Sequence, residues 1–126
     1  VTDAKWKVAE EFFGALGNYA EKKGVYFCIE PNPTIYGGDF LTKTGETFDF
    51  VKRANSPGLK VNLDMGTMIE NGEDPLPFIE KDLQFIGHVH VSMPYLKPIV
   101  MRCIKPLSVR SSMSDIQAGS QSKWKR

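Results

Sequence analysis

At 126 residues, 41% apolar and 25% charged, the chain is one domain at most, with room for a single modest core. That balance excludes a disordered protein, and no apolar run approaches the roughly 20 residues needed to cross a bilayer. The net charge of +1 hides an asymmetry, because residues 1–97 carry ten Lys and Arg against fourteen Asp and Glu, whereas 98–126 carry six against Asp115 alone.

The N-terminal stretch VTDAKWKVAEEFF has acids where a secretory signal needs an unbroken apolar segment, so no secretory address is expected. Cys28 lies in a predicted strand and Cys103 in a region of different character, which argues for a reducing, cytoplasmic setting rather than a disulfide scaffold.

Thr2 or Asp3 can cap a first helix, whose apolar positions Trp6, Ala9, Phe13, Leu16 and Ala20 recur at spacings of three and four. Phe12 and Tyr19 widen that stripe. Lys22 and Lys23 suit its C-terminus, and Gly24 suits the left-handed residue that closes it. Val25 to Ile29 is a continuous apolar run, the pattern of a strand buried on both faces of a parallel sheet. Glu30 ends it, and Pro31 and Pro33 stop it. Thr34 to Lys43 reads as a loop of functional length.

Thr44 can cap a second helix, Glu46 to Ala54, that buries Phe48, Val51 and Ala54; Asn55-Ser56-Pro57-Gly58 stops it. Leu59 to Leu63 is a second strand ending on Asp64. A loop from Thr67 to Glu73 follows. Asp74-Pro75 then opens a third helix through Leu83, with Leu76, Ile79 and Leu83 facing inward. Phe85 to Val91 is the third strand and carries His88 and His90.

Helices and strands thus alternate, with connections short enough for parallel crossovers. The fold class is α/β. Three strands cannot close a barrel and eight strand–helix units need about 250 residues, so the chain reads as part of a (β/α)8 barrel of about three units. Residues 1–97 form that partial-barrel domain. From Pro98 the pattern dissolves into a basic, serine-rich tail, 98–126, expected to be flexible. The break in composition is the pattern expected of a truncated or frame-altered product.

Glu30, Asp64, His88 and His90 share one property: each stands at or near a strand's C-terminal end, the edge where parallel α/β sheets carry their sites. Two carboxylates and an imidazole suit a divalent metal, Mn2+, Mg2+, Co2+ or Zn2+. The plainer alternative is that Glu30 and Asp64 cap the following turns and one histidine is a core residue. In an H-x-H strand both imidazoles share a face. His90, nearer the mouth, is the expected ligand, and the deeper His88 packs beneath it.

The motifs GVYFCIEPNPTIYGGDF, SPGLKVNLDMGTMIENGEDP and IGHVHVSMPYL, in that order, resemble the sugar phosphate isomerase/epimerase family of xylose isomerase-like barrels, nearest to ketose 3-epimerase-like members with a Glu-Pro-Asn-Pro strand end, over roughly residues 5–97. The resemblance implies one divalent metal, Mn2+ first among the candidates, held by Glu30, Asp64 and His90, with Glu30 also a catalytic acid–base. It implies a sugar or sugar phosphate substrate and proton transfer next to its carbonyl through an enediolate, which the metal stabilises. His88, Asn32 and Tyr36 are the expected substrate contacts, and Phe40 lies on the same loop.

Three departures stand out. No glutamate follows Glu80 to serve as the family's second metal-binding glutamate, Thr67 stands where many relatives carry a histidine, and Met93 replaces a frequent glutamate. A non-catalytic half-barrel, paired with itself or with another half through open edges, is therefore the competing expectation. The apurinic-endonuclease branch of the superfamily wants more than the two histidines present. Nucleic-acid binding through the tail would have only Trp124 for stacking, so neither nucleic acid nor membrane is an expected partner.

Overall fold

The computed structural model of the chain describes residues 2–93 and 97. Its first element, α1 (Asp3–Lys22), follows an extended Thr2, with Asp3 in the first turn and Lys22 in the last. The face it buries is built from small residues. Gly14, Gly17 and Ala20 are buried, Trp6, Ala9 and Phe13 pack partly against the core, and Phe12 and Tyr19, expected on the inner stripe, are exposed. Close approach explains the difference. A Cβ on Gly17 would overlap the Ser56 hydroxyl, and one on Gly58 would overlap the Gly17 carbonyl. Backbone meets backbone here, which leaves Phe12 and Tyr19 outside the contact.

The remaining elements are β1 (Phe27–Ile29), α2 (Thr44–Ala54), β2 (Leu59–Asp64), α3 (Met65–Asn71), α4 (Leu76–Lys81) and β3 (Ile86–His90). The strands form one parallel sheet in the order β1-β2-β3. This is the α/β arrangement of a partial (β/α)8 barrel. Central β2 alternates as a pleated strand must. Leu59, Val61 and Leu63 enter the core with Phe48, Phe50, Val51, Met65 and Met68, whereas Lys60, Asn62 and Asp64 take the opposite face.

β1 departs from expectation. Only three residues pair, and Val25, Tyr26 and Phe27 are exposed rather than buried on both faces. Among the described residues β2 is its only neighbour, so it is an edge strand. β3 carries an irregularity: Val61 pairs with Ile86 but Asn62 pairs with His88, so Gly87 is an extra residue. The Tyr26 hydroxyl donates to the Gly87 carbonyl at 3.1 Å.

Two helices differ from the reading of the sequence. Met65–Asn71, expected to be mostly loop, is helical because Asp64 caps it and Met65 and Met68 are buried; tertiary contact outweighs its modest propensity. The helix after Asp74-Pro75 stops at Lys81, and Leu83 begins a 3-10 turn, Leu83–Phe85. Leu76 and Leu83 are consequently exposed, while Phe78 stacks on Phe48 at 4.9 Å. Thr44 is the first residue of α2 rather than its cap. Its N–H and hydroxyl both donate to Glu73, the latter at 2.7 Å, which ties α2 to the end of α3. Phe40 belongs to the core, edge-on to Trp6 at 5.2 Å and to Phe50 at 5.7 Å. The basic tail, 98–126, lies outside the described residues.

Candidate metal centre

The site is assembled on the face of the sheet that the helices leave open. Glu30 directly follows β1, in the parity that puts Tyr26 and Cys28 on the same side. Buried Pro31 and Pro33 turn the chain away immediately afterwards. The loop that follows is closed at its base: the Asn32 N–H donates to the Leu41 carbonyl at 2.9 Å. Leu41 is buried with φ of 53°, a left-handed conformation that a leucine adopts only under constraint from its surroundings. The turn after Glu30 is thus over-determined.

Asp64 ends β2 and caps α3. Its Oδ1 accepts from the Gly66 N–H at 2.9 Å and from the Ser92 hydroxyl at 2.8 Å, and its Oδ2 accepts from the Thr67 hydroxyl at 3.2 Å. His90 ends β3 directly opposite Asp64 in the register. Its Nδ1 lies 3.6 Å from Glu30 Oε1 and 3.9 Å from Asp64 Oδ1. One ligand atom from each of the three residues lies within 4.8 Å of the others, close enough for one ion to reach all three.

The two carboxylates are not equivalent. The Asp64 side chain is only 13% exposed and Glu30 is 44% exposed. Partial burial, reinforced by the facing Asp64, raises the Glu30 carboxyl above its ordinary value, against the pull of His90 and Asn62. Burial also works against the charge on Asp64, but hydrogen bonds led by Ser92, with Glu30, Gly66 and Thr67, hold it below its ordinary value. Two acids close together cannot both ionise freely, so as pH rises Asp64 ionises first and Glu30 after it.

The other expected site residues are placed differently. His88 shares the open face but sits one rung deeper, opposite Asn62 and exposed. Asn32 and Tyr36 are exposed on the loop beyond Glu30, Tyr36 in the 3-10 turn Thr34–Tyr36. None of the three joins the cluster. Ser92, Gly66, Thr67 and Asn62 carried no role in the sequence reading. For Thr67 a signal existed, since a hydroxyl three residues after an aspartate at a helix start can reach back to it. For Ser92 there was none, because its partner is 28 residues away. Asn62 faces Glu30 with a buried side-chain oxygen that has no partner among the described residues.

Residues 2–98 match the xylose isomerase-like TIM barrel family. The chain belongs to that family. No curated protein and no solved structure matches it. Membership in this barrel family explains why three strand ends converge on one small volume: its strands run parallel, so their C-terminal ends share one rim. Among the described residues no helix is long and apolar enough to cross a membrane.

Proposed function

We propose that this xylose isomerase-like chain carries a divalent-metal site of the sugar isomerase and epimerase kind, acting on a small sugar or sugar phosphate. The convergence of Glu30, Asp64 and His90 at the strand ends carries the reading. Two carboxylates with one imidazole form a donor set for Mn2+ first, with Mg2+, Co2+ and Zn2+ as alternatives. The cation would supply charge stabilisation for the oxygens beside the carbon that loses its proton. Glu30 is the acid–base of the pair: it is the more exposed carboxylate, and its raised affinity for a proton suits a group that takes one and returns it. Asp64, buried and charged, binds without exchanging protons. His88, Asn32 and Tyr36 line the approach as substrate contacts. A reducing, cytoplasmic setting fits Cys28, a free thiol that burial pushes up to about 11.

The purified chain should take up Mn2+ stoichiometrically, and ketose supplied with Mn2+ should yield its epimer in a reaction that Glu30→Gln abolishes. A chain that binds no metal counts against the site. The second reading, a non-catalytic half-barrel that self-associates, is favoured by the exposed Val25, Tyr26 and Phe27 beside the open edge of β1. Metal uptake without epimer formation would support it, and turnover lost in Glu30→Gln would sink it.

A further inference from the structure

Asp64 is the most heavily committed side chain in the cluster. A carboxylate offers about four lone-pair positions, and Gly66, Thr67 and Ser92 fill three of them. Gly66 and Thr67 belong to the helix that Asp64 itself caps, so they hold it through local geometry. Ser92 reaches it from elsewhere. It lies two residues beyond His90, and its hydroxyl is the donor to Asp64 that comes from the β3 side of the sheet. The neighbouring backbone leaves room for it. A Cβ on Gly66 would overlap the Ser92 oxygen, and Gly66 has no positive φ that would otherwise call for glycine. Glycine in a helix is less favourable than alanine, so its presence in α3 is accounted for by the space it leaves to Ser92.

We infer that Ser92 is a positioning residue of the metal centre: its hydroxyl ties the Asp64 carboxylate on β2 to the end of the strand that carries His90, and Gly66 is small so that it can. This rests on the reading of Glu30, Asp64 and His90 as a divalent-cation site. Strand pairing already sets Asp64 opposite His90, but without the tie one restraint on how the Asp64 carboxylate turns is lost, and a cation must supply it on arrival. With it, two ligands stand in a fixed relative placement beforehand. Partners of this kind, one step removed from the ion, are worth on the order of ten- to a hundred-fold in metal affinity.

The experiment is calorimetric titration of the full chain with Mn2+ alone, across wild type, Ser92→Ala, Ser92→Thr, Gly66→Ala and the Gly66→Ala/Ser92→Ala double variant, with circular dichroism on each. Ser92→Ala should bind about ten-fold more weakly or worse, and Ser92→Thr, which keeps the hydroxyl, should recover most of the loss. Gly66→Ala should weaken binding because its methyl displaces the hydroxyl. The double variant should bind at most slightly more weakly than Ser92→Ala, since the overlap with the hydroxyl is gone and the methyl then meets only Asp64 Oδ1 at 3.3 Å and the Cβ of residue 92 at 3.4 Å. Fully additive losses, as for independent sites, would overturn the coupling. Wild-type affinity in Ser92→Ala would overturn the inference while leaving the three-ligand reading intact, and a wild type that takes up no Mn2+ would overturn both.

Discussion

The raised proton affinity of Glu30 shapes how the site responds to pH. A cation can use Glu30 only after the carboxyl ionises, and that carboxyl titrates above its ordinary value of 4.5. Binding therefore releases the Glu30 proton below the raised value, and His90 takes part only as the neutral imidazole. Apparent Mn2+ affinity should rise by at least about ten-fold per pH unit through the acid range in which Glu30 is protonated, and less steeply once it has ionised. Asp64, lowered from 3.8, gives up its proton before Glu30 does. Calorimetric affinity measured from the acid limb to neutrality checks this, and an affinity that stays flat through the acid range would contradict it. At this scale the sequence was informative about identity and silent about environment. Glu30, Asp64 and His90 were recognisable as donors because each closes an apolar run. That Asp64 would be held below its ordinary value owes most among its hydrogen bonds to Ser92, whose contact across 28 residues no spacing rule encodes.

Elements were legible where local chemistry forms them and misread where packing does. α2 and β2 followed from their apolar patterns and from the Asn55-Ser56-Pro57-Gly58 stop, and Asn55 does adopt a left-handed φ of 46° at the end of α2. α3 was missed because its helicity comes from buried methionines and an aspartate cap rather than from strong helix formers. In α1 the expected stripe included Ala20, which is buried, but passed over Gly14 and Gly17, where absent side chains set the distance between the helix and its neighbours. Gly17→Ala should accordingly destabilise the fold by about 1–3 kcal/mol through overpacking against Ser56 and Leu59, despite alanine's better helix propensity. Thermal unfolding followed by circular dichroism measures it. An unchanged or raised midpoint would show that α1 can slide outward at no cost.

For the molecule as a whole, the sheet has two sides of unlike character. One is sealed by α1, α2 and α3 over a continuous apolar core, and the other presents Tyr26, Cys28, Glu30, Lys60, Asn62, Asp64, His88 and His90. The barrel class was legible from alternating elements, and the family match ends at residue 98, beside the change in charge. What could not be read was how much of β1 would lie open, because burial of an edge strand depends on neighbours rather than on its own composition. If that edge pairs with a second copy, the chain should run on size exclusion above its monomer mass, and Phe27→Lys should shift it toward the monomer, as charge on an edge strand does elsewhere. A monomeric wild type would remove self-association from consideration.

The extra residue at Gly87 has a consequence for how this site can be lost. In an unbroken strand Ile86, His88 and His90 would share one side, and Ile86 is committed to the core opposite Val61. By inserting one step the chain keeps Ile86 inside and still turns both imidazoles toward Asp64. The histidines thus depend on an odd-or-even count as much as on their own identity. Were β3 to keep Gly87 but pair without the irregularity, every donor would remain, yet the two sides of the strand beyond Ile86 would be exchanged, with the imidazoles turned into the apolar core and Val89 into the cluster. A relative that kept both histidines and the residue between Ile86 and His88 but paired this strand without the extra step would carry the ligands of the site without the site.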